Sequence, residues 1–151
     1  MDFDWGEIGK IFSYIIPVLM FVLFSVLFKK QREQQRRVSV VKSLLSETKY
    51  NSALLDSFSF RPQMKNFKAT TWKRNKDKMD YIDQSLYSTL TDAYEIADAF
   101  NREIDAAKKH KSTSYIAGID TSRLVKPLAK SKQGLEDWLE LNKGKKKVTD
   151  K

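Results

Sequence analysis

The strongest pattern in the chain is an unbroken apolar run near its start. Residues 8–28 read IGKIFSYIIPVLMFVLFSVLF, with no charge from Ile11 to Phe28 and only Ser13, Tyr14 and Ser25 as polar side chains. A helix rises about 1.5 Å per residue, so the run covers about 31 Å, the thickness of a bilayer's hydrocarbon core. It predicts a transmembrane helix over 8–28, with residues 1–7 as a short extracytoplasmic tail. Pro17 lies inside the run, where a membrane span tolerates it.

After Lys29 the pattern becomes amphipathic. No Gly or Pro occurs until Pro62. Val38, Val41, Leu44, Leu45, Thr48, Leu55 and Phe58 fall mostly on one helical face, which predicts a helix over about 29–57 continuing directly from the span. Pro62 then disfavours helix at Arg61. The next periodic stretch is Met79, Ile82, Leu86, Leu90, Ala93, Ala97, Phe100, Ile104 and Ala107. Its steps of three and four approach a heptad seam and predict one helix over about 72–110, some 58 Å long, capped by Thr70 or Thr71. The seam reads chiefly as intrachain core, with a partner helix or a second copy of the chain as the sharper reading. Leu124, Leu128, Leu135, Trp138, Leu139 and Leu141 predict a last helix over about 121–141, weakened by Pro127 and Gly134. Residues 143–151 are expected to form a basic, disordered tail.

The predicted fold class is all-α: a single N-terminal transmembrane helix continuing into a cytoplasmic antiparallel helical hairpin or three-helix bundle over 29–142. Short connections favour antiparallel neighbours. The second helix is therefore expected to run back along the first and to bring Lys108–Lys111 level with Lys29, Lys30 and Arg32.

Charge adds an orientation. The chain of 151 residues carries a formal charge of +9. From Lys29 to Lys49 it holds seven basic residues against Glu33 and Glu47. Basic residues beside a span remain on the cytoplasmic side, so the N-terminus is predicted outside and the bulk of the chain inside. Asp2, Asp4 and Glu7 oppose Lys10 ahead of the run, and no small-x-small site ends it. A secretory signal has the opposite features, which favours a retained anchor. Further along, residues 61–78 are net +6 and residues 80–107 net −6.

The inventory of reactive groups is thin. There is no cysteine, which removes disulfides, thiolate metal sites and thiol nucleophiles. The one histidine, His110, stands in Lys-Lys-His-Lys and reads as a solvated turn residue. Asp80 with Asp83, and Glu95 with Asp98, share helical faces, but bundle metal sites need histidines and carboxylates from separate helices. They read as a solvated or salt-bridged face. No glycine-rich phosphate loop and no Gly-x-Ser-x-Gly elbow occurs. No catalytic residue, metal or cofactor is nominated.

The functional expectation is a non-enzymatic membrane-anchored adaptor or accessory subunit of a membrane complex, presenting cytoplasmic helices to a protein partner. The candidate contact residues are the basic flank Lys29, Lys30, Arg32, Arg36 and Arg37, the loop residues Phe58, Phe60, Arg61, Phe67 and Trp72 taken as exposed, and the lysines Lys108, Lys109 and Lys111. The same aromatics have a plainer reading, as a plug closing the end of the helical domain. The alternative function is a membrane-tethered binder of anionic lipid or nucleic acid through these basic clusters. The acidic stretch that follows disfavours nucleic acid.

Overall fold

A computed structural model describes residues 5–60, 65–110 and 118–143, with side chains at 14–58 in the first of these segments. Every regular element among the described residues is helical. The order is α1 (Trp5–Phe60), α2 (Thr70–Asn75), a 3-10 turn (Lys76–Lys78), α3 (Gln84–Lys109) and α4 (Ser122–Lys143). The chain divides into two compact units, Met1–Arg37 and Val38–Lys151.

The first unit contains the N-terminal part of α1. Every side chain from Tyr14 to Glu33 is exposed, including all apolar ones. Among the described residues this is the one helix long and apolar enough to cross a membrane. Pro17 stands within it. So large a contiguous apolar surface is unfavourable in water and typical of a surface that something covers.

The second unit is built on α1 from Val38 onward. Val41 and Leu44 share a buried cluster with Leu86, Leu90, Tyr94, Leu135 and Leu139. Leu54, Leu55 and Phe58 share another with Ala97, Phe100, Ile104, Leu124 and Leu128. Residue numbers thus rise together on α1 and α3 and fall along α4. Direct contacts agree: Ser131 Oγ donates to the Thr89 carbonyl at 3.4 Å, and Trp138 Nε1 to the Tyr81 carbonyl at 3.3 Å. Lys49 of α1 pairs with Glu136 of α4 at 2.9 Å.

This corrects two expectations. First, α3 does not run back along α1; it runs in the same direction. Parallel neighbours require a connection that crosses the length of the pair, and residues 65–83 provide it. Asn51 meets Lys68 while Glu47 meets Thr71 and Trp72, so the segment descends as α1 ascends. Lys108 consequently lies beside Asn66, near Phe67, at the end of the unit away from Val38. Second, the helix expected over 72–110 is divided. Residues 79–83 are not helical, and α3 starts afresh at Gln84. Asp83 is extended (φ −69°, ψ 154°), and its carboxylate accepts from the Leu86 N–H at 2.9 Å. An Asp N-cap starts a helix and so requires the preceding chain to leave helical geometry. Met79 and Ile82 are buried all the same, although no helical face carries them.

Candidate functional site

On the first unit Lys29, Lys30, Arg32 and Arg36 are exposed, and Arg37 pairs with Glu33 at 2.9 Å. Ser25, Phe28, Lys29 and Arg32 line a shallow hollow on this helix. Lys108 and Lys109 are exposed on the second unit. Lys108 donates to Asn66 and Asp105, and hydrogen bonds from Asn66 first and Lys108 second hold the Asp105 carboxyl below its usual range. Arg61 and Lys111 fall outside the described residues, as does the Phe60 side chain.

The aromatic candidates behave otherwise. Phe58, Phe67 and Trp72 are buried in the chain's own core. Phe67 stands 5.9 Å from Phe58 and 6.2 Å from Phe100, ring centre to ring centre. Trp72 stacks on Tyr94 at 5.3 Å with the rings 6° from parallel, and meets Tyr87 at 5.5 Å. These three rings therefore offer no exposed contact surface. Aromatic side chains carry enough apolar area that a small core takes them up before solvent does.

They are held inside by the way residues 65–75 are fastened. Lys68 donates its backbone N–H to Asn51 Oδ1 at 2.8 Å, and its carbonyl accepts from Asn51 Nδ2 at 2.7 Å. Asn101 does the same to Phe67, at 2.7 and 2.9 Å. Glu47 accepts from the backbone N–H groups of Thr71 and Trp72 at 2.9 and 3.3 Å. It caps α2 from a distant helix, since no cap bond comes from within α2. The expected caps Thr70 and Thr71 do not serve. Lys68 lies 4.0 Å over the Tyr50 ring, and Lys73 pairs with Asp98 at 2.9 Å.

Beside Glu47 the hydroxyls of Thr48 and Tyr94 are fully buried without a hydrogen bond of normal geometry. Burial first, and the Glu47 charge second, push the Tyr94 phenol far above its ordinary pKa. Both oxygens of the carboxylate are engaged by backbone N–H groups. Among the described residues no three or more His, Cys, Asp or Glu side chains converge as metal ligands would. Sequence reasoning passed over Glu47, Asn51 and Asn101. A signal was present: Glu47, Thr48 and Asn51 interrupt the apolar stripe between Leu44 and Leu54, and Asn101 lies between Ala97 and Ile104. No family model matches the chain, and neither does any curated protein or solved structure.

Proposed function

We propose that the protein is a non-enzymatic, single-pass membrane adaptor or accessory subunit of a membrane complex, with its N-terminus outside and its helical domain in the cytoplasm. The observation that carries this reading is the exposed apolar surface from Tyr14 to Phe28, followed at once by Lys29, Lys30 and Arg32. Lipid would cover the first, and the basic flank would keep the domain inside. The buried polar groups support the non-enzymatic part. Glu47, Asn51 and Asn101 are engaged at both ends by the backbone they hold. What remains for a partner is the outer surface of the helices, where Tyr50, Val125 and Leu141 are exposed. A second copy of the chain is an alternative occupant.

One observation favours a second reading, contact with anionic lipid. Lys42, Lys65, Arg74, Lys76 and Lys78 are exposed and form no ion pair among the described residues. Nucleic acid fits less well, because Asp92 and Glu95 are exposed on α3. The test is purification of the tagged full chain from membranes in mild detergent, with mass spectrometry of what accompanies it. The proposal expects a stoichiometric protein partner that survives high salt. A lone monomer would sink it, and association lost at moderate salt would favour the charge-driven reading.

A further inference from the structure

We infer that one face of α1, formed by Ser25, Phe28, Lys29 and Arg32, binds a single anionic phospholipid, with the phosphate on the two cations and the acyl end along the phenylalanine side. The inference rests on the membrane-span reading and deepens it by naming the lipid class and the residues that take it. These four side chains line the shallow hollow of the first unit. Positions 25, 28, 29 and 32 fall on one helical face, because residues three, four and seven apart recur on the same side of a helix. Lys30 and Arg37 are equally basic but point about 130–150° away from that face.

The three polar side chains at the hollow are not used within the protein. Ser25, Lys29 and Arg32 form no side-chain hydrogen bond or ion pair among the described residues. A helical serine or threonine commonly returns its hydroxyl to the carbonyl four residues back. Ser52, Thr89 and Thr91 do so here, and Ser25 does not. The counter-ion that helix spacing offers Lys29 is Glu33, four residues on, but Glu33 pairs with Arg37 at 2.9 Å. Glu33 is the one carboxylate in the sequence between Ile8 and Ser46, so this part of α1 holds no other acid for the two cations.

The order of side chains along the face selects the ligand. Phe24 and Phe28 are exposed, with their ring centres 6.3 Å apart. Aromatic ring, hydroxyl and cation follow one another from Phe24 to Arg32, over about 12 Å of helix. A phospholipid presents acyl chain, glycerol esters and phosphate in the same order. A free phosphate would use the cationic end alone, and a carboxylate on a protein partner would leave the rings uncovered. No carboxylate lines the hollow to receive an ammonium group. A headgroup without positive charge, of the phosphatidylglycerol class, therefore fits better than choline beside Lys29 and Arg32.

Native mass spectrometry of the detergent-purified full chain, titrated with phosphatidylglycerol or phosphatidylcholine, tests this. The expected result is one phosphatidylglycerol retained per chain, with a preference over phosphatidylcholine of about tenfold or more. Lys29→Gln combined with Arg32→Gln should abolish the preference. Lys30→Gln combined with Lys42→Gln removes the same charge elsewhere and should leave it within about twofold, since all four side chains are exposed. Equal binding of the two lipids by the parent overturns the inference. So does a preference that survives the first pair of substitutions or falls equally with both pairs. Displacement of the bound lipid by an equal concentration of glycerol phosphate would give the hollow to a free phosphate and overturn it as well. Extraction of parent membranes with carbonate separates the two readings. A chain retained there without the lipid preference would lose the site and keep the span, whereas release into carbonate overturns both.

Discussion

Asn51 and Asn101 grip consecutive residues of one crossing segment from opposite sides, Asn51 holding Lys68 and Asn101 holding Phe67. Each amide gives one donor and one acceptor to a single residue's backbone, as a neighbouring strand would. Lys68 is held from α1 and Phe67 from α3, so each helix serves one residue of the segment. The device lets a short non-helical segment lie between two helices with its backbone polar groups satisfied. Asn51 is wholly buried, so Asn51→Ala would strand two groups and cost about 2–4 kcal/mol. Asn101 is half-buried, and Asn101→Ala would cost about half as much. Denaturant unfolding of the full chain in detergent measures both. An Asn51→Ala domain as stable as the parent would show that the clamp contributes nothing.

Tyr94 ties stability to alkaline pH. Its folded pKa lies above the ordinary 10.0, through burial and then the Glu47 charge. The phenol therefore stays protonated in the fold while the unfolded chain ionises. Its contribution is complete below about pH 10 and is lost as pH rises beyond, at up to about 1.4 kcal/mol per pH unit. Tyr94→Phe should remove this alkaline loss relative to the parent. At neutral pH it should be neutral or up to about 1 kcal/mol stabilising, because it deletes a buried hydroxyl that has no hydrogen bond of normal geometry among the described residues. Unfolding curves at neutral pH and above pH 10 compare the two; parallel decline would refute the assignment.

Glu47→Gln tests the neighbouring cap. Both carboxylate oxygens accept backbone N–H groups, so a Gln amide nitrogen must face one of those donors. The substitution should cost about 1–3 kcal/mol. It should also bring the Tyr94 phenol down towards its ordinary range, which ultraviolet titration of the folded protein would read.

These groups explain which parts of the fold were legible in the sequence. The apolar run and the threes and fours from Leu86 to Ala107 expose helical class and core positions, because burial imposes its period directly on residue type. Helix direction left no such trace. It depends on the crossing segment, whose rings look like a surface loop when set among Lys65, Lys68, Lys73 and Arg74. Glu47, Asn51 and Asn101 fasten the backbone that carries those rings, and polar residues within helices read as solvated until their partners are known. The break before α3 was missed because Met79 and Ile82 prolong the apolar spacing by coincidence. Asp83, three residues before Leu86, was the available sign.

Gly134 marks the close approach of α4 to α3. A Cβ at this position would lie 2.6 Å from Leu86 Cδ1, and Leu86 is itself buried. Alanine gains about 1 kcal/mol of helix propensity over glycine. The overlap costs about 1–3 kcal/mol if the packed leucine must shift. Gly134→Ala is therefore expected to destabilise by about 1 kcal/mol net, and Leu86→Val in the same chain to recover part of it. A more stable single variant would mean that the helices separate freely at this point.

Trp72 separates a core role from a contact role. Its ring is 5% exposed and lies against Tyr94 and Tyr87. Trp72→Ala should cost about 3–5 kcal/mol, with Trp72→Phe milder because part of the stacking survives. Arg74, two residues on, is exposed, and Arg74→Glu should leave stability within about 0.5 kcal/mol. Co-purification of a partner should then follow the folded fraction in the Trp72 series. A Trp72→Phe chain that is fully folded yet has lost its partner would return the ring to the interface and contradict its burial as the cause.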